Sequence, residues 1–252
     1  MPNANRSAHY IGVKWDWAIY IVSHAFLCMY ILSSGEEMMG TLPNAWYGII
    51  LCLCNSFLLP LHHWVLLLFI LYRSAATRSI PEARCRFGSD KKWTSATISA
   101  SMRIAFLMAV LGYILIFIWC LIRYGIPAEI SWSTKALIPI PISRVIILAL
   151  FSRIITTQFA AIVFITLFLF LRKKVIAFGL TLLFLLSSDF ALLETPPYLS
   201  FKPVIFTSSY SFSFFIQGDW ISNLIYAYFC PIVIGLILVI LCKTCIWRRN
   251  LW

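Results

Sequence analysis

The residues able to do chemistry in this chain are few and widely spaced. Cys242 and Cys245 form a C-x-x-C, a spacing shared by redox and zinc sites, but a zinc site needs further ligands and none stand nearby. They read instead as bystanders at a membrane edge or as palmitoylation targets. His24, His62 and His63 are metal- or haem-ligating types. Adjacent histidines leave a helix in different directions, however, and no carboxylate or cysteine pattern joins them, so no metal is expected. Glu36-Glu37 resembles the paired glutamates of some membrane proteases but lies in a short outer loop without that family's further arginine and histidine motifs. No G-x-S-x-G elbow supports a serine nucleophile, and no G-x-x-x-x-G-K-[ST] loop is present to cradle a nucleotide phosphate.

Two charges fall inside apolar runs, Arg153 and Asp189. A charge at a bilayer centre costs about 2.5–3.5 kcal/mol and therefore seeks a partner or a hydrated cavity. The expected depths of Arg153 and Asp189 are similar, which makes them a candidate intramembrane ion pair. Ser152, Thr156, Thr157 and Gln158 make the same region polar, suited to interhelical hydrogen bonds or to a hydrated path.

The elements that must position these residues are membrane helices. The chain is 62% hydrophobic and only 12% charged, with a mean hydropathy of +0.90, far from the mixture of a soluble domain. Apolar runs long enough to span a bilayer predict an all-α, polytopic fold with six transmembrane helices at about 15–34, 46–72, 104–122, 145–171, 175–193 and 221–241, forming one transmembrane domain over 1–252. The second run exceeds what a bilayer needs and is expected to tilt, protrude or kink near Pro60. No cleavable signal peptide is expected, because polar residues run through Lys14 and no convincing cleavage site follows.

The formal charge of +11 would suggest nucleic acid in a soluble protein, but here the bases sit in short loops and none is expected to bind nucleic acid. Loop 73–103, the Arg172-Lys173-Lys174 triplet and the tail with Lys243, Arg248 and Arg249 are basic. By the positive-inside rule these segments, and both termini, are cytoplasmic. Trp15, Trp17, Trp46, Trp119, Trp132, Trp220 and Trp247 fall near span ends, as an interfacial belt requires. Cys28, Cys52, Cys54, Cys120 and Cys230 lie within apolar runs and are expected to act as small hydrophobes.

Within loop 73–103, Gly88-Ser89-Asp90 has turn chemistry, Trp93 suits an interfacial anchor, and 94–103 reads as a short amphipathic helix along the membrane. The run Arg86-Phe87-Gly88-Ser89-Asp90-Lys91-Lys92-Trp93, directly ahead of the third span, resembles a motif of small bacterial ABC-2 type permease subunits. There a basic arginine, a large apolar residue, Gly-Ser, several bases and tryptophan occupy the cytoplasmic loop between the second and third helices. The whole-chain plan is similar too, and Arg248-Arg249-Asn250 resembles the Arg-Arg-Asp ending common in that family. Asp90 and Asn250 depart from the pattern, standing where an arginine and an aspartate are usual.

The resemblance implies a membrane-spanning permease subunit of an ATP-driven ABC exporter in the cytoplasmic membrane, without catalysis or cofactor of its own. A separate cytoplasmic ABC ATPase subunit would supply hydrolysis, and a homodimer or heterodimer of permease subunits would enclose a path for peptide, lipid or drug. Arg86, Gly88, Ser89, Lys91, Lys92 and Trp93 would form the ATPase-coupling loop. The competing expectation is an intramembrane enzyme or an assembly factor for a membrane complex.

Overall fold

A computed structural model describes residues 4–39, 44–55, 58–78, 85, 87–125, 142–194 and 220–249. Among the described residues the fold is all-helical: α1 (Ala4–Met39), α2 (Ala45–Cys54), α3 (Leu58–Arg78), α4 (Asp90–Tyr124), α5 (Ile142–Leu171), α6 (Lys174–Glu194) and α7 (Trp220–Arg249). Four contain segments long and apolar enough to cross a membrane: Trp15–Glu37, Leu58–Ala75, Asp90–Tyr124 and Ile146–Leu171. In α6 and α7 the described apolar segments, Lys174–Leu186 and Pro231–Thr244, are shorter.

The surface pattern of α1 is inverted relative to a helix in water. Trp15, Ile19, Val22, Phe26 and Tyr30 line its exposed face, while Asp16, Tyr20, His24 and Cys28 follow at four-residue spacing on the buried one. Phe26 is 68% exposed and His24 0%. Such a helix suits an apolar solvent outside and a polar contact inside. The apolar segment of α1, Trp15–Glu37, is clamped near both ends by ion pairs: Asp16 to Arg73 of α3, and Glu36 to Arg123 of α4. Tyr124 also donates to Glu36 at 2.6 Å. The two carboxylates are separated along the helix by roughly 30 Å, the thickness of a bilayer's hydrocarbon core. Glu36 thus has a packing partner on α4.

The apolar run expected as one span over 46–72 is instead divided at Asn55. Its backbone turns extended (φ −63°, ψ 114°), and its side chain accepts from the Leu59 amide at 3.0 Å, capping the start of α3. Pro60 then lies in the first turn of α3, where a missing N–H costs no helical hydrogen bond, so it begins a helix rather than kinking one. Helix α2 is the shorter piece, folded against α1 and α4. A Cβ on Gly48 would come within 3.0 Å of both Leu32 and Tyr124, so glycine permits that approach.

The segment 94–103 is likewise not a separate surface helix. Nothing between Ser89 and Gly112 breaks helical geometry, and α4 runs unbroken for 35 residues, about 52 Å. The polar part of the expected loop 73–103 is therefore largely helical at both ends. The apolar run around Arg153, by contrast, is the single helix α5.

Helix α5 is the hub, packed against α3, α4, α6 and α7. Ala149, Arg153, Thr157, Ala160, Phe164 and Phe168 are all buried along it. A two-residue link joins α5 to α6, with Arg172 in the left-handed region (φ 54°) and its amide donating to the Phe168 carbonyl at 2.9 Å. Cys28, Cys52 and Cys120 are free, buried and share one apolar cluster, packing as small hydrophobes. Cys242 is only 1% exposed and faces Thr166 of α5 at 3.3 Å, which withdraws it from the lipid edge expected of a palmitoylated thiol. The side chain of Cys245 lies outside the described residues.

Candidate functional site

The basic turn ahead of α4 is built by local backbone chemistry. Gly88 takes φ 68°, and its amide donates to the Cys85 carbonyl at 3.1 Å. A β-carbon is disfavoured at that φ, which accounts for glycine. Ser89 is the N-cap, accepting through Oγ from the Lys92 amide at 3.3 Å, and Asp90 follows in the first turn, where the helix dipole favours a negative charge. This gives Asp90, the departure from the family pattern, a local reason. Lys91 and Lys92 are exposed, whereas Trp93 is buried and Phe87 packs on the same apolar cluster. Among the proposed coupling residues, Lys91 and Lys92 are presented to the surroundings and Trp93 is an anchor beneath them. Arg86 lies outside the described residues.

Arg153 occupies the middle of α5 and is 1% exposed. The side chain of Asp189 lies outside the described residues, so the expected pair with Arg153 is not described. Of the polar residues near Arg153, Thr156 donates back to the Ser152 carbonyl of its own helix at 2.8 Å, and Thr157 reaches across to α3.

That crossing belongs to a polar cluster in the bundle core which sequence reasoning did not assemble. Tyr20 of α1 is 0% exposed, and its hydroxyl lies 3.2 Å from the Met108 carbonyl of α4 and 3.1 Å from His63 Nδ1 of α3. His63 Nε2 lies 3.1 Å from Thr157 Oγ1 of α5. His24 Nε2 bonds the Gly112 carbonyl of α4 at 3.2 Å, and His62 Nε2 bonds Ser23 Oγ of α1 at 2.8 Å. The rings pack together, with Tyr20–His24 centroids at 5.3 Å, Tyr20–His63 at 5.9 Å and His24–His62 at 5.5 Å.

Although His62 and His63 do leave α3 in different directions, α1 lies across both, so three histidines meet. Gly112 makes this possible: a Cβ there would stand 2.3 Å from Tyr20 Oη, and its absence lets the two helices approach. The signal available in sequence was the Tyr20-x-x-x-His24 spacing, which puts both on one helical face. Among the described residues, no group of three or more histidine, cysteine or carboxylate side chains is arranged to hold a metal ion.

The cluster joins four helices through side chains that lipid cannot satisfy, which makes it the leading candidate for an intramembrane site among the described residues. Compared with known protein families, curated proteins and solved structures, the chain has no match.

Proposed function

We propose that this chain is the membrane-spanning permease subunit of an ATP-driven ABC-type exporter, working as a dimer of permease subunits with a separate cytoplasmic ATPase. The observation that carries this reading is the continuity of α4 from the capped basic turn at Ser89 to the bundle core at Gly112. A displacement applied by an ATPase at Lys91 and Lys92 travels along an unbroken helix to the carbonyls that hold Tyr20 and His24. The chain supplies the path and the lever, and hydrolysis belongs to the partner. The motif resemblance at residues 86–93 and the basic exposed face of the turn support the same partner.

In this proposal the chain lies in the cytoplasmic membrane with six spans, α6 and α7 supplying the last two, and both termini are cytoplasmic. The basic segments 73–103 and 172–174 and the basic tail support that orientation. Cysteine-reactive tags placed at Glu82 and Lys202 are expected to label from opposite faces of intact cells; labelling from one face sinks the topology.

Purification in mild detergent from the native membrane is expected to bring down an ATP-hydrolysing subunit. Replacing Arg86 and Trp93 together should release it. Because Trp93 is also a packing residue, the charge reversal Lys92→Glu, at an exposed position, serves as the second variant, expected to cut ATPase recovery about tenfold while leaving the thermal midpoint of the purified chain unchanged. A chain that purifies alone, with no associated ATPase activity, overturns the reading.

A further inference from the structure

Helix α5 carries a face that the bundle leaves open. Ile147 and Phe151 are exposed, Phe151 at 54%, and Ile154, Ile155 and Gln158 are half-buried. These positions recur at three- and four-residue spacing and so form one strip along the helix. Helix α7 borders the strip: Tyr228 donates to the Leu148 carbonyl at 2.8 Å, and a Cβ on Gly235 would stand 3.2 Å from Ile162. The strip therefore opens outward between Ile147 and Gln158 and meets α7 at Ile162.

Gln158 is out of place on such a strip. It stands at the midpoint of the apolar segment Ile146–Leu171, the depth farthest from water on either side. Its neighbours on the strip are isoleucine and phenylalanine. Thr156 and Thr157, beside it in the chain, are buried and bonded within the bundle, Thr156 to the Ser152 carbonyl and Thr157 to His63. The Gln158 carboxamide makes no hydrogen bond among the described residues. Two N–H donors and a carbonyl acceptor thus lie on a strip that lipid tails cannot serve.

A carboxamide is its own complement, because it carries both donors and acceptor. Copies of one chain insert in the same orientation, so Gln158 of every copy lies at the same depth. Two copies related by a two-fold axis along the membrane normal bring their strips face to face, and a residue near that axis meets itself. Each Gln158 N–H then donates to the other's carbonyl oxygen, and neither amide is left in lipid. A different membrane protein would need a polar residue of its own at this level; a second copy supplies one by symmetry.

We propose that the α5 strip is the face through which this chain associates with a second copy of itself, its two Gln158 carboxamides hydrogen-bonded to one another across the two-fold axis. The apolar side chains supply the packing and Gln158 fixes the register in depth, as a lone polar residue does in an apolar helix seam. This face deepens the dimer of the proposed permease and rests on that dimer, but not on the ATPase.

Dissociation of the full chain in phosphatidylcholine vesicles tests it: a dye on the N-terminus, counted by single-molecule photobleaching, gives the dimer fraction as lipid dilutes the protein. Gln158→Leu removes donors and acceptor at similar volume and suits lipid, so the fold should persist with an unchanged thermal midpoint while dimerisation weakens about tenfold. The contact is mapped separately by placing photo-reactive benzoylphenylalanine at Phe151 or, on the outward face of α1, at Phe26. A covalent dimer is expected from Phe151 and none from Phe26. Equal dissociation of the unaltered chain and Gln158→Leu, or a covalent dimer from Phe26 and none from Phe151, overturns this interface and leaves a dimer standing elsewhere. A chain monomeric at every dilution overturns the interface and the permease dimer together.

Discussion

Gly112→Ala is expected to destabilise the bundle by about 2–5 kcal/mol, combining overpacking with the loss of hydrogen bonds made by Tyr20. The added Cβ would lie 2.3 Å from Tyr20 Oη, well inside contact distance. Tyr20 must then swing away from both the Met108 carbonyl and His63. Alanine's better helix propensity returns only about 1 kcal/mol, so the sign is decided by the clash. Tyr20→Phe supplies the discriminating background: it removes the oxygen the new methyl meets, and the next atoms, on His24, stand at an ordinary 3.5 Å. Thermal unfolding in detergent should show a large loss for Gly112→Ala alone and almost none for the same change added to Tyr20→Phe. An equal loss in both backgrounds would remove Gly112 from its role as the point of close approach.

The second large effect is expected at Arg153. Arg153→Asp places a carboxylate at a position that is 1% exposed in the bundle interior, and breaking a buried charge arrangement in this way costs about 3–5 kcal/mol. Size-exclusion profiles of a fluorescent fusion should show mostly aggregate. If Asp189 is the counter-charge, Asp189→Arg on the same chain restores a monodisperse peak, because the two charges merely exchange places. A double variant no better folded than either single one rules the pair out. The neighbourhood of Arg153 raises the stakes, since His63 and Thr157 hold α3 to α5 at the same level.

These two positions differ in how far the sequence announced them. Arg153 stands out in a list of residues because charge inside an apolar run has an unmistakable cost. Gly112 does not, since membrane helices use glycine freely and nothing local distinguishes this one from Gly179, which has open space around it. The break at Asn55 lay hidden for a related reason: hydropathy continues across it, and the cap depends on one side chain turning to meet the Leu59 amide. Conversely, the continuity of α4 past Arg103 went unread because its polar residues suggested a surface segment, although Trp93, Thr94, Thr97 and Ser101 are buried where neighbouring helices extend beside them. Thr97 and Ser101 satisfy their hydroxyls on the preceding turn of the same helix, which lets them be buried without partners elsewhere.

What the sequence by itself determined is the solvent and the length scale. Its apolar runs demand lipid, and among the described residues four of the resulting helices are long and apolar enough to cross it. The turn at Gly88-Ser89 was legible too, because positive φ and N-capping are settled within a few residues. What only the tertiary structure decided is lateral arrangement: that α1 lies across α3, that three histidines and Tyr20 share one interior, and that α5 is the hub. In a soluble protein the apolar face of a helix reveals where its neighbours are. In a membrane the neighbours and the lipid are equally apolar, so that signal vanishes, and helices are ordered by close approach at glycine and by scattered polar side chains whose partners lie far away in the chain.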